Sequence, residues 1–185
     1  MREIRDPELL EHYLRQYHIR SFFDTRDLPF RLYEYAPGEM ITVLRPVEES
    51  IKFIVKGVFD HYMILEDGNP YLIAHCNGFG FLGDLAFCGR QPKNRYQEVL
   101  ETVHAVELPL EPLRRVLEND NRFLRFLIDT MGQRLTISLH QCPSIPQERP
   151  YEGVCADDYR RRQTQCLQRA FAGYEKTYAQ TGTVA

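Results

Sequence analysis

The chain has 185 residues, 43% hydrophobic and 26% charged, with 23 Lys and Arg against 26 Asp and Glu for a formal net charge of −3. That is enough chain for one good core and an appendage, with an ordinary globular composition, which excludes a fibrous or wholly disordered protein. The slightly acidic balance excludes a whole-chain electrostatic footprint for nucleic acid, so any DNA contact has to come from a local basic patch.

The opening Met1-Arg2-Glu3-Ile4-Arg5-Asp6 mixes both charge signs and lacks the apolar segment of a signal peptide. No apolar run approaches the roughly 18 residues of a membrane span, so a cytoplasmic location without membrane contact is expected. Residues 7–24, from Pro7-Glu8-Leu9-Leu10 through Tyr13-Leu14 and Tyr17-His18 to Phe22-Phe23, place apolar groups at steps of three and four. This spacing predicts one or two short helices.

From Arg31 to about Pro109 the pattern changes to period two with turn punctuation. Leu32-Tyr33-Glu34-Tyr35, Met40-Ile41-Thr42-Val43, Ile51 to Val55, His61 to Leu65, Tyr71 to Ala74 and Glu101 to Leu108 read as separate short strands of a β-sandwich or barrel. Glu66-Asp67-Gly68-Asn69 reads as a hairpin tip. Late in this zone, Phe79-Gly80-Phe81-Leu82-Gly83-Asp84-Leu85-Ala86-Phe87 has two glycines feeding an aliphatic segment. Such a turn opens a short helix whose backbone N–H groups can hold an anion.

After Pro109 helix signals return. Leu110 to Glu118 makes a short amphipathic turn or two, and Asn119-Asp120-Asn121 offers a capping residue for a long helix. In that helix Leu124, Ile128, Met131, Leu135 and Ser138 recur at steps of four and three, the seam spacing of a coiled coil, while Phe123 and Leu127 can turn toward the barrel. Two apolar faces point to a homodimer through residues 121–139; a single helix packed on its own domain is the competing reading. Beyond it Pro143, Pro146, Pro150 and Gly153 read as a linker, and Asp157 to Phe171 as one helix with Arg160, Arg161, Arg162 and Arg169.

The five cysteines, at 76, 88, 142, 155 and 166, show no C-x-x-C, which leaves a disulfide framework, zinc ribbon or iron–sulfur cluster without its pattern. Cys76 and Cys88 read as small buried apolar side chains. The six histidines, among them His18, His61, His75, His104 and His140, form no H-x-H pair of the kind a cupin-like metalloenzyme uses, and no G-x-S-x-G elbow is present. Neither a catalytic site nor a metal site is expected.

Four segments in order carry a family likeness: Tyr35-Ala36-Pro37-Gly38-Glu39-Met40-Ile41 beside Y-x-P-G-E-x-I, Phe53-Ile54-Val55-Lys56-Gly57 with its strand glycine, Gly80 to Ala86 beside the F-G-E-x-A cassette, and Val103 to Leu110 followed by Asn119-Asp120 and Phe123-Leu124. Over roughly residues 20–140 the chain thus resembles the cyclic nucleotide-binding domain of the Crp/Fnr transcription regulators, with particular similarity to their YeiL-like branch. The resemblance implies a mainly β fold with flanking α, a jelly-roll β-barrel followed by a long dimerisation helix. The corresponding division is a helical segment 1–24, a barrel 25–118, a dimerisation helix 119–141, and a linker and tail 142–185.

It also implies a site. By position Gly83, Leu85 and Ala86 would give N–H groups to a cyclic phosphate, Asp84 would accept the ribose hydroxyl, and Arg95 would pair with the phosphate oxygens. The chain departs from the family here: Asp84 is one methylene shorter than the usual glutamate, and Tyr96-Gln97 replace two small residues. Gly89-Arg90-Gln91-Pro92-Lys93 is longer than a tight cassette, with Arg90 and Lys93 as substitute point charges and Tyr96 filling the space of the purine. Three readings stay open: cAMP or cGMP as effector, another small effector, or a ligand-free dimerising scaffold. The 45 residues after His140 show no helix-turn-helix, so a sensing domain that lacks its own DNA-binding domain, a truncated or frameshifted regulator, is expected, and DNA binding is left undecided.

Overall fold

The computed structural model describes residues 1–41, 49–90 and 94–141, and opens with strand β1 (Arg2–Ile4) and helix α1 (Pro7–Gln16). Asp6 caps α1, its Oδ1 accepting from the Leu9 N–H at 3.0 Å, and Pro7 fills the first turn, where a missing N–H costs nothing. A short 3₁₀ turn, Ile19–Phe22, completes the expected helical zone after His18 breaks the chain direction at φ 48°. Tyr13 and Tyr17, one turn apart, dock α1. The Tyr13 hydroxyl lies 3.0 Å from His104 Nδ1, and the Tyr17 hydroxyl donates to the Val55 carbonyl at 2.8 Å.

Strands β2 (Arg31–Tyr35), β3 (Ser50–Ile64), β4 (Pro70–Asn77), β5 (Gly80–Leu82) and β6 (Arg95–Pro109) form one antiparallel set in the order β1-β2-β6-β3-β4, with β5 on β3. The hairpin tip is where the turn residues put it. Gly68 takes φ 84°, Leu65 N–H donates to the Asn69 carbonyl at 2.9 Å, and the Asp67 carboxylate accepts from Asn69 N–H and Nδ2, both at 2.9 Å. Met40 bridges to Glu98; the remainder of the strand expected at Met40–Val43, from Thr42 on, lies outside the described residues.

One expectation is corrected: the strands expected at Ile51–Val55 and His61–Leu65 are not two but one, the single 15-residue β3, which ends at Ile64. The ladder to β6 slips register three times between Ile54 and Phe59, and Gly57 sits in that stretch at φ 101°. Bulges and a glycine bend a strand without ending it. β6 likewise starts at Arg95, earlier than the expected Glu101.

The bent sheet buries two sets of side chains. Inside the barrel lie Tyr35, Ile41, Ile54, Phe59, Val99, Val103 and Ala105. On the other face of β3, Phe53 packs with Phe22, Phe23, Phe81 and Phe126 at ring separations of 5.3–6.2 Å, joining the N-terminal turn to the last helix. Cys76 packs beside the barrel core, but Cys88 is exposed, against expectation, because it follows a four-residue helix at the surface.

Helices α3 (Arg114–Leu117) and α4 (Asn121–Gln141) follow β6. The chain divides at Ile128/Asp129; the first unit carries the sheet and the start of α4, and of the second only α4 residues 129–141 are described. Asp120, 2% exposed, caps α4: its Oδ1 accepts from Phe123 N–H at 2.9 Å, and its two oxygens accept from Asp24 and Thr25 N–H at 2.8–3.0 Å. Burial pushes this carboxyl up, but the N–H donors of Asp24, Phe123 and Thr25 outweigh burial and hold it below the usual carboxylate range. A depressed folded-state value contributes stability that is complete above the unfolded value, near pH 4, and lost as pH falls through the folded one. Asp120→Ala is expected to cost about 3 kcal/mol at pH 7, a lost cap plus orphaned N–H groups. Denaturant titrations from pH 7 to 3 should show that cost shrinking with acid; a pH-independent cost would contradict the assignment.

Candidate effector site

The glycine-opened turn is built as its residues require. β5 pairs Gly80–Leu82 with Lys52–Ile54, and helix α2 (Asp84–Phe87) follows at once. Gly83, its N-cap, takes φ 105°, and a Cβ there would stand 2.7 Å from the Ser50 carbonyl oxygen and 3.0 Å from Ile51 Cα. Only glycine allows this approach. Gly83 has no side chain with which to cap the start of α2, so nothing at the N-cap position itself covers the first backbone N–H groups. Asp84 and Ala86 are buried and Leu85 is partly buried.

The other end of α2 is closed by a residue that the sequence did not single out. Arg114 of α3 donates to the Phe87 carbonyl at 2.5 Å and the Ala86 carbonyl at 3.4 Å, and pairs with Glu49 at 2.9 Å and Glu111 at 3.2 Å. A guanidinium on the last carbonyls of a helix satisfies acceptors left without intrahelical partners. The Phe87 ring lies 5.1 Å from Phe123, edge to face, and 5.9 Å from the Arg114 guanidinium. The cassette therefore touches both helices that follow the barrel.

Arg95 opens β6 opposite Met63, whereas Gly83 packs on Ser50–Ile51, so in strand register the arginine and the turn stand at opposite ends of β3. Arg95, Gln97 and Val99 alternate along β6 and share a face, the face that Val99 buries in the barrel core. Tyr96 takes the opposite face and stacks on Tyr62 at 5.6 Å, so it does not share the side of Arg95 that a purine would need it to fill. Arg90 is exposed; Lys93 lies outside the described residues.

A second feature that only the structure reveals is a polar group in the barrel. Lys52 Nζ donates to Glu107 Oε2 at 2.7 Å and to Ser50 Oγ at 2.5 Å, Ser50 Oγ donates to Glu107 Oε2 at 2.9 Å, and the Tyr35 hydroxyl donates to Glu107 Oε1 at 2.5 Å. Burial first, then the Glu107 charge, pushes the Tyr35 phenol far above its ordinary range, so it stays a donor. Among the described residues no group of three or more His, Cys, Asp or Glu is arranged to hold a metal, and no helix is long and apolar enough to cross a membrane.

A jelly roll whose late glycine turn opens a short helix, followed by a long helix after the last strand, is the fold of the cyclic nucleotide-binding domains of Crp/Fnr-type regulators. No protein-family model and no curated protein matches the sequence. Solved structures do. The regulatory subunit of a cAMP-independent protein kinase A from Trypanosoma brucei is 18% identical with a TM-score of 0.55, over 68% of this chain and 47% of that one. Ligand-free reduced CprK is 20% identical with a TM-score of 0.51, over 64% of this chain and 56% of that one. The catabolite activator protein of Thermus thermophilus is 14% identical with a TM-score of 0.48, over 72% and 57%. The chain thus spans about half the length of each of these three structures.

Proposed function

We propose that this chain is the effector-sensing domain of a Crp/Fnr-type transcription regulator, dimeric through α4 and a regulator rather than an enzyme. The observation that carries the reading is the α2 turn, where Gly83 is pressed against Ser50–Ile51 too closely for any side chain and so offers backbone N–H groups to an anion. Gly83, Asp84, Leu85 and Ala86 contribute the turn; Arg95, at the other end of β3, is assigned a separate contact with the effector rather than a share of the anion at the turn. Coupling runs from α2 through Phe87 and Arg114 to α3 and the start of α4. The barrel-filling Tyr35–Glu107–Lys52 group is the observation that favours the second reading, a ligand-free dimerising scaffold. Residues 142–185, with the expected linker, helix and absent helix-turn-helix, lie outside the described residues.

Thermal unfolding with and without cAMP or cGMP decides between the two. A ligand at a hundred times its dissociation constant adds about 2.7 kcal/mol, roughly 5–10 °C for a chain of this size. That shift is expected in the native protein and absent in Arg95→Ala; no shift with either nucleotide removes cyclic nucleotides from the reading.

The dimer has its own test. On α4 Phe123, Phe126 and Leu127 are buried, whereas Leu124 and Met131 are partly open and Ile128 and Leu135 are 67% and 60% exposed. These four are the residues of the expected seam, and apolar side chains so exposed in a repeating stripe fit a second copy. Sedimentation should show a dimer for the native chain and a folded monomer for Ile128→Asp/Leu135→Asp. A native monomer at tens of micromolar would overturn the proposal.

A further inference from the structure

Away from the barrel, the loop between the 3₁₀ turn and β2 encloses a cavity of about 470 Å³ that Arg122 of α4 also lines. Phe23, Leu28 and Phe30, only 4%, 7% and 9% exposed, give it an apolar floor. Its charges fall into two sets. Arg20 pairs with Glu11 at 3.1 Å and lies over the Phe30 ring, and Arg122 pairs with Asp24 at 3.0 Å, so these two cations are already matched. Arg26 and Asp27 are not. Both are exposed and both line the cavity, and among the described residues neither has an ion-pair or hydrogen-bond partner, the other included. Asp27 takes φ 58°, the left-handed turn of this loop, where an extended chain would send neighbouring side chains to opposite sides. The turn is what lets a cation and an anion adjacent in sequence line one cavity.

We infer that this cavity is a ligand site separate from the barrel, and that it takes a small zwitterion of the α-amino acid class with an apolar side chain. Arg26 receives the carboxylate, in the planar two-point contact that a guanidinium favours. Asp27 receives the ammonium, and the ligand's side chain lies toward Phe23, Leu28 and Phe30. A ligand with one charge satisfies one member of the pair and sets a like charge beside the other: an anion meets Asp27, a cation meets Arg26. Exposed ion pairs contribute little each, so the dissociation constant is on the order of 1 mM. The site uses neither the Gly83 turn nor the barrel interior and stands independently of the sensor reading above.

The test uses the full chain and five probes: L-leucine, L-phenylalanine, glycine, L-leucinamide, which has lost the carboxylate, and N-acetyl-L-leucine, which has lost the ammonium. Binding is read by thermal unfolding and calorimetry. At about 10 mM, leucine or phenylalanine should raise the unfolding temperature by about 3–5 °C for a chain of this length. Glycine, leucinamide and N-acetylleucine should each bind about tenfold more weakly than leucine. Arg26→Gln and Asp27→Asn, the second keeping a residue that accepts the left-handed turn, should each abolish the leucine shift. Both positions are exposed and unpartnered, so both variants should unfold with the native chain when no ligand is present. Should one of them not fold, the five probes on the native chain still decide. No shift with leucine or phenylalanine overturns the inference. So does an equal shift with leucinamide, N-acetylleucine or glycine, or a leucine shift that survives in both variants.

Discussion

Gly57→Ala is expected to cost about 4 kcal/mol or more, combining a backbone conformation that L side chains avoid with a clash that has nowhere to go. The glycine holds φ 101°, and a Cβ would stand 2.4 Å from the Thr102 carbonyl oxygen and 2.7 Å from Val103 Cα, both backbone atoms of the facing strand. Flexible side chains can yield to an added methyl group, but two paired backbones yield only by parting. The point of contact is also where β3 and β6 slip register, so parting them there unbends the barrel and moves Phe59, Val99 and Val103 out of its core. Gly38→Ala is the control, since Gly38 also has a positive φ, 82°, but open space around its Cβ. It should lose only about 1–2 kcal/mol, the conformational part. Denaturant unfolding of both variants separates the two contributions, and equal losses would show that the close approach at Gly57 carries no weight.

The second large effect concerns the ion pair inside the barrel. Lys52→Met is expected to cost about 3–5 kcal/mol, because it leaves the Glu107 carboxylate buried without its cation. The side chains of Lys52 and Glu107 are only 11% and 8% exposed, so water cannot take over as it does for a surface pair. Adding Glu107→Gln should recover most of the loss: the amide is neutral, its oxygen still accepts from Tyr35, and its NH2 can donate to Ser50 Oγ, which no longer accepts from Lys52. The signature is therefore strong non-additivity in a double-mutant cycle. Additive losses, or a single-variant cost below about 1 kcal/mol, the range of exposed pairs, would mean that the pair contributes no more than a surface contact.

Arg114 gives these interactions a direction. It lies 27 residues from Phe87 in sequence, yet it holds the end of α2 while belonging to the helix that leads toward α4. The end of the Gly83 turn's helix thus meets the following helices through a guanidinium and a pair of rings set edge to face.

Features set by neighbours in the chain were legible from the sequence alone. Asp67-Gly68-Asn69 dictates a hairpin tip, Gly83 a turn ahead of α2, Asp120 the cap of α4, and the spacing of Leu124, Ile128, Met131 and Leu135 a second apolar stripe on α4. Each depends on one residue's φ preference, side-chain reach or helical period, which travel with the sequence. Tertiary structure alone decided the rest. The charged segment Arg2–Ile4 became a strand because β2 offered an edge, β3 ran on through Gly57 because β6 bulged to meet it, and Glu107 found Tyr35 across 72 residues and Lys52 across 55. Cys88 was left exposed by the brevity of α2, and Gln97 was buried unpaired by its place on the inward face of β6. Such outcomes depend on which distant strands meet and in what register, and a one-residue slip would send every side chain of β6 to the other face.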